Sequence, residues 1–103
     1  MTATDIEVTI DKIIRNYQGW SIENFEVDDS LPVIWIDIVN PNYYTIITFS
    51  IDVKIKQGQI TYDNSDWYIR IKDDAFITRK TLEKIEKDAN RIWSDIEEAL
   101  YRR

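Results

Sequence analysis

Cysteine and histidine are both missing from this chain of 103 residues. Without them, Ser-His-Asp and Cys-His nucleophilic catalysis cannot be assembled within it, and zinc sites of the usual Cys/His kind are excluded as well. Glycine and proline are scarce, with two of each. That leaves little room for linkers, and the two glycines stand far apart, so there is no Gly-rich phosphate loop. No internal repeat or low-complexity tract interrupts the chain.

Positive charge is also in deficit. Lys and Arg number 13 against 19 Asp and Glu, giving a net charge of -6 and a pI near 4.6. A nucleic-acid binder relies on cations to neutralise phosphates, so direct nucleic-acid binding is disfavoured, and an anionic membrane surface equally so. No apolar run approaches the ~20 residues of a membrane span. Residues 1–10 lack the basic-then-apolar form of a secretion signal, so the expected location is the cytoplasm. Hydrophobic residues at 44% and charged residues at 31% suit one globular domain of this length.

The stretch that remains most informative runs from Leu31 to Lys72, where apolar residues recur at every second position. That period belongs to strands with one buried face. Ile34, Ile36 and Ile38 face inward from one run, and Phe49, Ile51, Val53 and Ile55 from the next. A tight turn at Pro41-Asn42 would set Ile38 opposite Thr45, Ile36 opposite Ile47 and Ile34 opposite Phe49. Gln57-Gly58 reads as a two-residue hairpin turn that pairs Ile55 with Ile60 and Val53 with Tyr62. Beyond Tyr62 the parity changes, because Trp67, Ile69 and Ile71 are odd-numbered. One extra residue within Asp63–Asp66, a β-bulge, restores the register and brings Trp67 to Phe49 and Ile69 to Ile47.

A helix is expected over residues 4–18, capped by Thr4 with Glu7 at capping-box spacing and stopped by Gly19. Its apolar stripe is Ile6, Ile10, Ile13, Ile14 and Tyr17, with Trp20 folding back over the last turn. Residues 20–27 form an edge strand that needs a bulge near Glu23-Asn24. Its acids Glu23, Glu26, Asp28 and Asp29 either discourage edge pairing or form a surface for a basic partner. From about residue 79 to 101 the spacing turns helical, with Thr78 at the cap and an apolar stripe from Leu82 to Leu100. Opposite charges four apart, Glu83/Lys87, Lys84/Asp88, Arg91/Asp95 and Glu98/Arg102, lace its outer face. The end near Leu100, Tyr101, Arg102 and Arg103 is expected to overhang the sheet, as a ~23-residue helix outruns an eight-residue strand.

The expected fold class is therefore α+β, a two-layer α-β-β-β-β-α domain. Strands fall at about 20–27, 32–39, 43–56 and 59–72, and both helices pack on one face of an antiparallel meander. The other face stays open and presents Trp35, Asp37, Tyr44, Ile46, Tyr68 and Arg70. Aromatics with Arg are the residue types that dominate interface energetics, and a contiguous patch of them marks an interaction site. Asp63-Asn64-Ser65-Asp66 reads as turn chemistry, lacking the glycine and distal glutamate of a calcium loop. Glu23 and Asp37 are conceivable acid–base partners, though an acidic chain offers such pairs by chance. No cofactor or metal is implied, and the chain reads as non-enzymatic.

These features point to a small protein–protein interaction module. The favoured form is an inhibitor or adaptor whose acidic surface engages a basic, nucleic-acid-handling protein, by analogy of size and charge with small acidic proteins of phages and other mobile elements. A homodimer joined through the open faces is one alternative. A small-ligand binder that stacks its ligand on Trp35 and Tyr68 is another.

Overall fold

A computed structural model of the chain describes residues 1–72 and 75–101. It has the expected order of elements: α1 (Ala3–Ile14), β1 (Ser21–Asp28), β2 (Val33–Asn40), β3 (Thr45–Lys56), β4 (Gln59–Ile71) and α2 (Arg79–Tyr101). The strands form one antiparallel sheet in the order β1-β2-β3-β4. α1 lies against β1, α2 lies against β4, and the helices touch each other, so both cover the same face.

The core follows the period-2 count. Ile34, Ile36 and Ile38 of β2 and Ile47, Phe49, Ile51 and Val53 of β3 are buried together with Ile6, Ile10 and Ile14 of α1. Ile85, Ala89, Ile92, Ile96 and Leu100 of α2 complete it. Two bulges reconcile this face with the parity changes. Glu23 is the extra residue between Ile22↔Ile38 and Asn24↔Asp37, and Asp63 the extra one between Val53↔Tyr62 and Asp52↔Asn64. Gln57 and Gly58, at φ 54° and 77°, make the two-residue turn between β3 and β4.

Three expectations about α1 and the β2–β3 pairing are corrected. Thr2 caps α1 in place of Thr4: its hydroxyl accepts from Asp5 N–H at 3.2 Å, and the Asp5 carboxylate accepts from Thr2 N–H at 3.1 Å. The helix ends at Ile14, because Asn16 and Tyr17 donate to carbonyls three residues back, and the chain turns through Gly19 at φ 86°. Between β2 and β3 the register is Ile38↔Ile47, Ile36↔Phe49 and Ile34↔Ile51, two residues from the expected pairing. Asn40, 1% exposed, belongs to the strand opposite Thr45, and residues 41–44 make the turn. A slip of two preserves which face each residue occupies and changes its cross-strand neighbours.

The end of α2 does not overhang the sheet. Leu100 is buried and the Tyr101 ring meets Tyr62 edge-on at 6.0 Å, because β3 and β4 run 12 and 13 residues. The Glu98/Arg102 pairing and the placement of Arg102 and Arg103 lie outside the described residues.

Polar seams flank α2 on both sides. Toward the first helix, the Trp20 indole donates to Asp88 at 3.0 Å and the Tyr17 hydroxyl donates to Asp95 at 2.5 Å. Asp88 and Asp95, expected on the outer face with Lys84 and Arg91, thus hold the turn that follows α1. Burial, reinforced by the bond to Asp95, pushes the Tyr17 hydroxyl up to about 12. Toward β4, Ser65 Oγ accepts from the Trp93 indole at 2.7 Å and shares a hydrogen bond with the Tyr62 hydroxyl at 2.9 Å. Tyr62 also donates to Glu97 at 3.1 Å.

Candidate functional site

Past Asp52 the face of the sheet opposite the helices continues along β3 with Lys54, opposite Thr61, and Lys56, opposite Gln59; its other side chains form four rows that cross all four strands. They read Ser21-Val39-Ile46-Arg70, Asn24-Asp37-Thr48-Tyr68, Glu26-Trp35-Ser50-Asp66 and Asp28-Val33-Asp52-Asn64. Side chains in one row are direct neighbours, some 4.5–5.5 Å apart at Cβ.

Asp37 and Thr48 of the second row form a connected polar cluster with Arg70 of the first. Thr48, 3% exposed, donates its hydroxyl to Asp37 Oδ1 at 2.6 Å and accepts from Arg70 Nη2 at 3.4 Å. Arg70 Nη2 lies 3.6 Å from the same Asp37 oxygen, and its guanidinium sits 5.9 Å from the centre of the Tyr68 ring. One hydroxyl can donate and accept at once, so the three groups fix each other's orientation. Tyr68 is held beside the cation with half its surface exposed.

The third and fourth rows differ in charge. Trp35, half-buried, has Glu26 beside it on β1 and Ser50 beside it on β3, with Asp66 next along the row. Asp28 and Asp52 flank Val33 in the row beyond. Neither row contains a Lys or Arg. Glu26 and Asp28 of the expected acidic surface therefore share one surface with Trp35.

Asp28 is positioned by the β1–β2 turn, its Oδ1 accepting from Ser30 Oγ at 2.7 Å, Ser30 N–H at 3.0 Å and Leu31 N–H at 3.3 Å. The Ser30 hydroxyl leads in holding this carboxyl below its ordinary value. Asp29 is exposed in that turn. Glu23 sits at the bulge, 3.6 Å from Lys72 Nζ. With Asp37 tied to Thr48 and Arg70, the two conceivable acid–base partners each hold a cation instead.

The two-residue shift between β2 and β3 moves other members apart. The expected pairing of Ile36 with Ile47 and of Ile47 with Ile69 would put Trp35 in one row with Thr48 and Tyr68; it stands one row away from them, across β3 from β4. Ile46 neighbours Val39 and Arg70. Tyr44 lies in the turn before β3 at φ 49°, 60% exposed, its carbonyl accepting the Lys72 N–H at 2.7 Å. Hollows run along the outer side of α1, lined by Glu7, Val8 and Arg15 among others, and between Tyr62 and Glu97 at α2. Trp35 and Tyr68 line neither.

Sequence reasoning passed over Asp52 and Asp66, although the parity that placed Trp35 outward also places Asp52 outward. The bulge at Asp63 is what brings Asp66 to the same side. Among the described residues, no group of three acidic side chains is arranged to hold a metal ion, and no helix is long and apolar enough to cross a membrane. No family model, no curated protein and no solved structure matches this chain.

Proposed function

We propose that the protein is a small non-catalytic interaction module of the cytoplasm that binds a basic protein partner through its uncovered sheet face. One observation carries the reading. Trp35 shares its row with Glu26 beside it and Asp66 beyond Ser50, with Asp28 and Asp52 in the next row and no cation in either, Lys54 following Asp52 along β3. An aromatic anchor provides buried apolar contact, and a surround of one charge sign steers a partner of the opposite sign and fixes its orientation. The Asp37–Thr48–Arg70 cluster next to it is internally neutralised and acts as a rigid polar border that presents Tyr68.

The favoured partner is a protein that handles nucleic acid. Its cationic surface is built to meet rows of phosphates, and rows of carboxylates about 6.8 Å apart along each strand present charge of the same sign. Occupying that surface would make the module an inhibitor or adaptor.

Affinity capture from a lysate of the source organism, with the wild type beside a Trp35→Ala/Tyr68→Ala double variant, tests the reading. The wild type is expected to retain a basic, nucleic-acid-handling protein, with retention falling as salt rises. A double variant that melts like the wild type yet captures the same protein would overturn the assignment of the face.

A further inference from the structure

Among the described residues, the outer edge of β4 is open along one stretch, and it is self-complementary there. In the antiparallel pairing of β3 with β4, Lys72 N–H donates to Tyr44 C=O, and Ile71 stands opposite Thr45. Hydrogen-bonded and non-hydrogen-bonded pairs alternate along such a ladder. Even-numbered residues from 64 to 72 therefore aim their backbone groups at β3. Ser65, Trp67, Ile69 and Ile71 aim theirs outward.

A second observation agrees with this parity: the Trp67 N–H is taken up by the neighbouring Asp66 carboxylate at 2.8 Å. Nearer the hairpin, Ile60 N–H donates to Met1 C=O, so the first residue covers that part of the edge. Trp67 and Ile69, on the helix-covered side, are half-buried.

We infer that residues 65–71 of β4 pair antiparallel with the same stretch of a second copy, about a twofold axis at Tyr68, joining two sheets into one of eight strands. The register brings like faces together. On the uncovered face Asp66 of each copy meets Arg70 of the other, and Tyr68 meets its own counterpart. On the helix-covered face Trp67 meets Ile69, and Ser65 meets Ile71. Both copies contribute the same patch, as a closed twofold interface requires.

Each outward N–H and C=O gains a strand partner, and Asp66 exchanges the Trp67 N–H for a guanidinium. Opposite charges and aromatic pairs set directly across a ladder are the pairings that stabilise it. The other edge cannot do the same, because β1 carries Glu23, Glu26 and Asp28 with no base among its residues. This inference does not rest on the partner reading above, although Asp66, Tyr68 and Arg70 belong to both surfaces.

Sedimentation velocity over a concentration series up to about 100 µM, a range that reports dissociation constants near the micromolar, tests it. The wild type is expected to dimerise. Asp66→Lys and Arg70→Glu, both at exposed positions, are each expected to weaken dimerisation by about tenfold or more, as two like-charged contacts replace two attractive ones. The Asp66→Arg/Arg70→Asp exchange restores the charge pattern and is expected to restore the dimer. A slip of two residues would set Asp66 against Lys72 instead, and the exchange would then fail to rescue. A monomeric wild type, a dimer indifferent to either reversal, or an exchange without rescue each overturns the inference.

Discussion

Ser65 is the residue whose replacement most directly tests how α2 is held to the sheet. It is 7% exposed, and its hydroxyl is shared between the Trp93 indole at 2.7 Å and the Tyr62 hydroxyl at 2.9 Å. Ser65→Ala removes both contacts while adding no bulk. Tyr62 keeps Glu97 as an acceptor at 3.1 Å, so its hydroxyl loses little. The Trp93 N–H is left without this acceptor. Stranding a buried donor costs about 1–3 kcal/mol, and a half-buried indole that water can partly reach falls in the lower part of that range.

The expected loss is therefore about 1.5–2 kcal/mol, equivalent to a fall in melting temperature of roughly 6–16 °C for a domain of this size. A double-mutant cycle with Trp93→Phe sharpens the test. If the bond carries the effect, the double variant should be less destabilised than the sum of the singles by about 1 kcal/mol. Chemical denaturation followed by circular dichroism supplies all four free energies. Strict additivity, or a Ser65→Ala cost below about 0.5 kcal/mol, would show that Ser65 does not anchor the helix.

The Tyr17 hydroxyl, pushed from 10.0 to about 12 in the fold, makes stability depend on alkaline pH. Its contribution is present in full below pH 10 and is lost as pH rises toward 12, because the unfolded phenol gives up its proton first. Melting curves across that window should fall more steeply for the wild type than for Tyr17→Phe. Gly19→Ala places a Cβ 2.8 Å and 2.9 Å from the Asn40 side chain at a φ of 86°, and should cost at least about 1–2 kcal/mol by denaturant titration. Trp35→Ala and Tyr68→Ala should each cost less than about 1 kcal/mol in the same assay, since both lie on the uncovered face. A collapse of either variant would make that residue part of the core.

The sequence is most transparent where a turn and a parity constrain each other. Gln57-Gly58 leaves one way to close β3 on β4, and the odd numbering of Trp67, Ile69 and Ile71 then demands one extra residue, found at Asp63. Between β2 and β3 the constraint is weaker. Asn40 has the composition of a turn residue, yet its side chain is buried beside Gly19, and Tyr44 takes a left-handed φ that an aromatic residue does not advertise. Faces are indifferent to a shift of two residues, so the list of core isoleucines was legible while the neighbours of Trp35 were not.

The start of α1 shows a related ambiguity, since Thr2/Asp5 and Thr4/Glu7 offer overlapping caps and the first is used. The roles of Asp88 and Asp95 were hidden for another reason. Helical spacing pairs each with a cation four residues away, and their indole and phenol partners come from the segment after α1.

The two seams beside α2 bear on how a helix studded with similar aliphatic side chains finds a single seat. Ile85, Ile92 and Ile96 could be exchanged by sliding one turn along the sheet at modest cost, because grease recognises volume and little else. Indole and phenol groups reaching Asp88, Asp95, Ser65 and Glu97 cannot follow such a slide, since a displacement of ~5.4 Å would break every one of those bonds together. A chain with those four polar contacts replaced by aliphatics would be expected to hold its shape while losing its alignment, a helix afloat on its sheet.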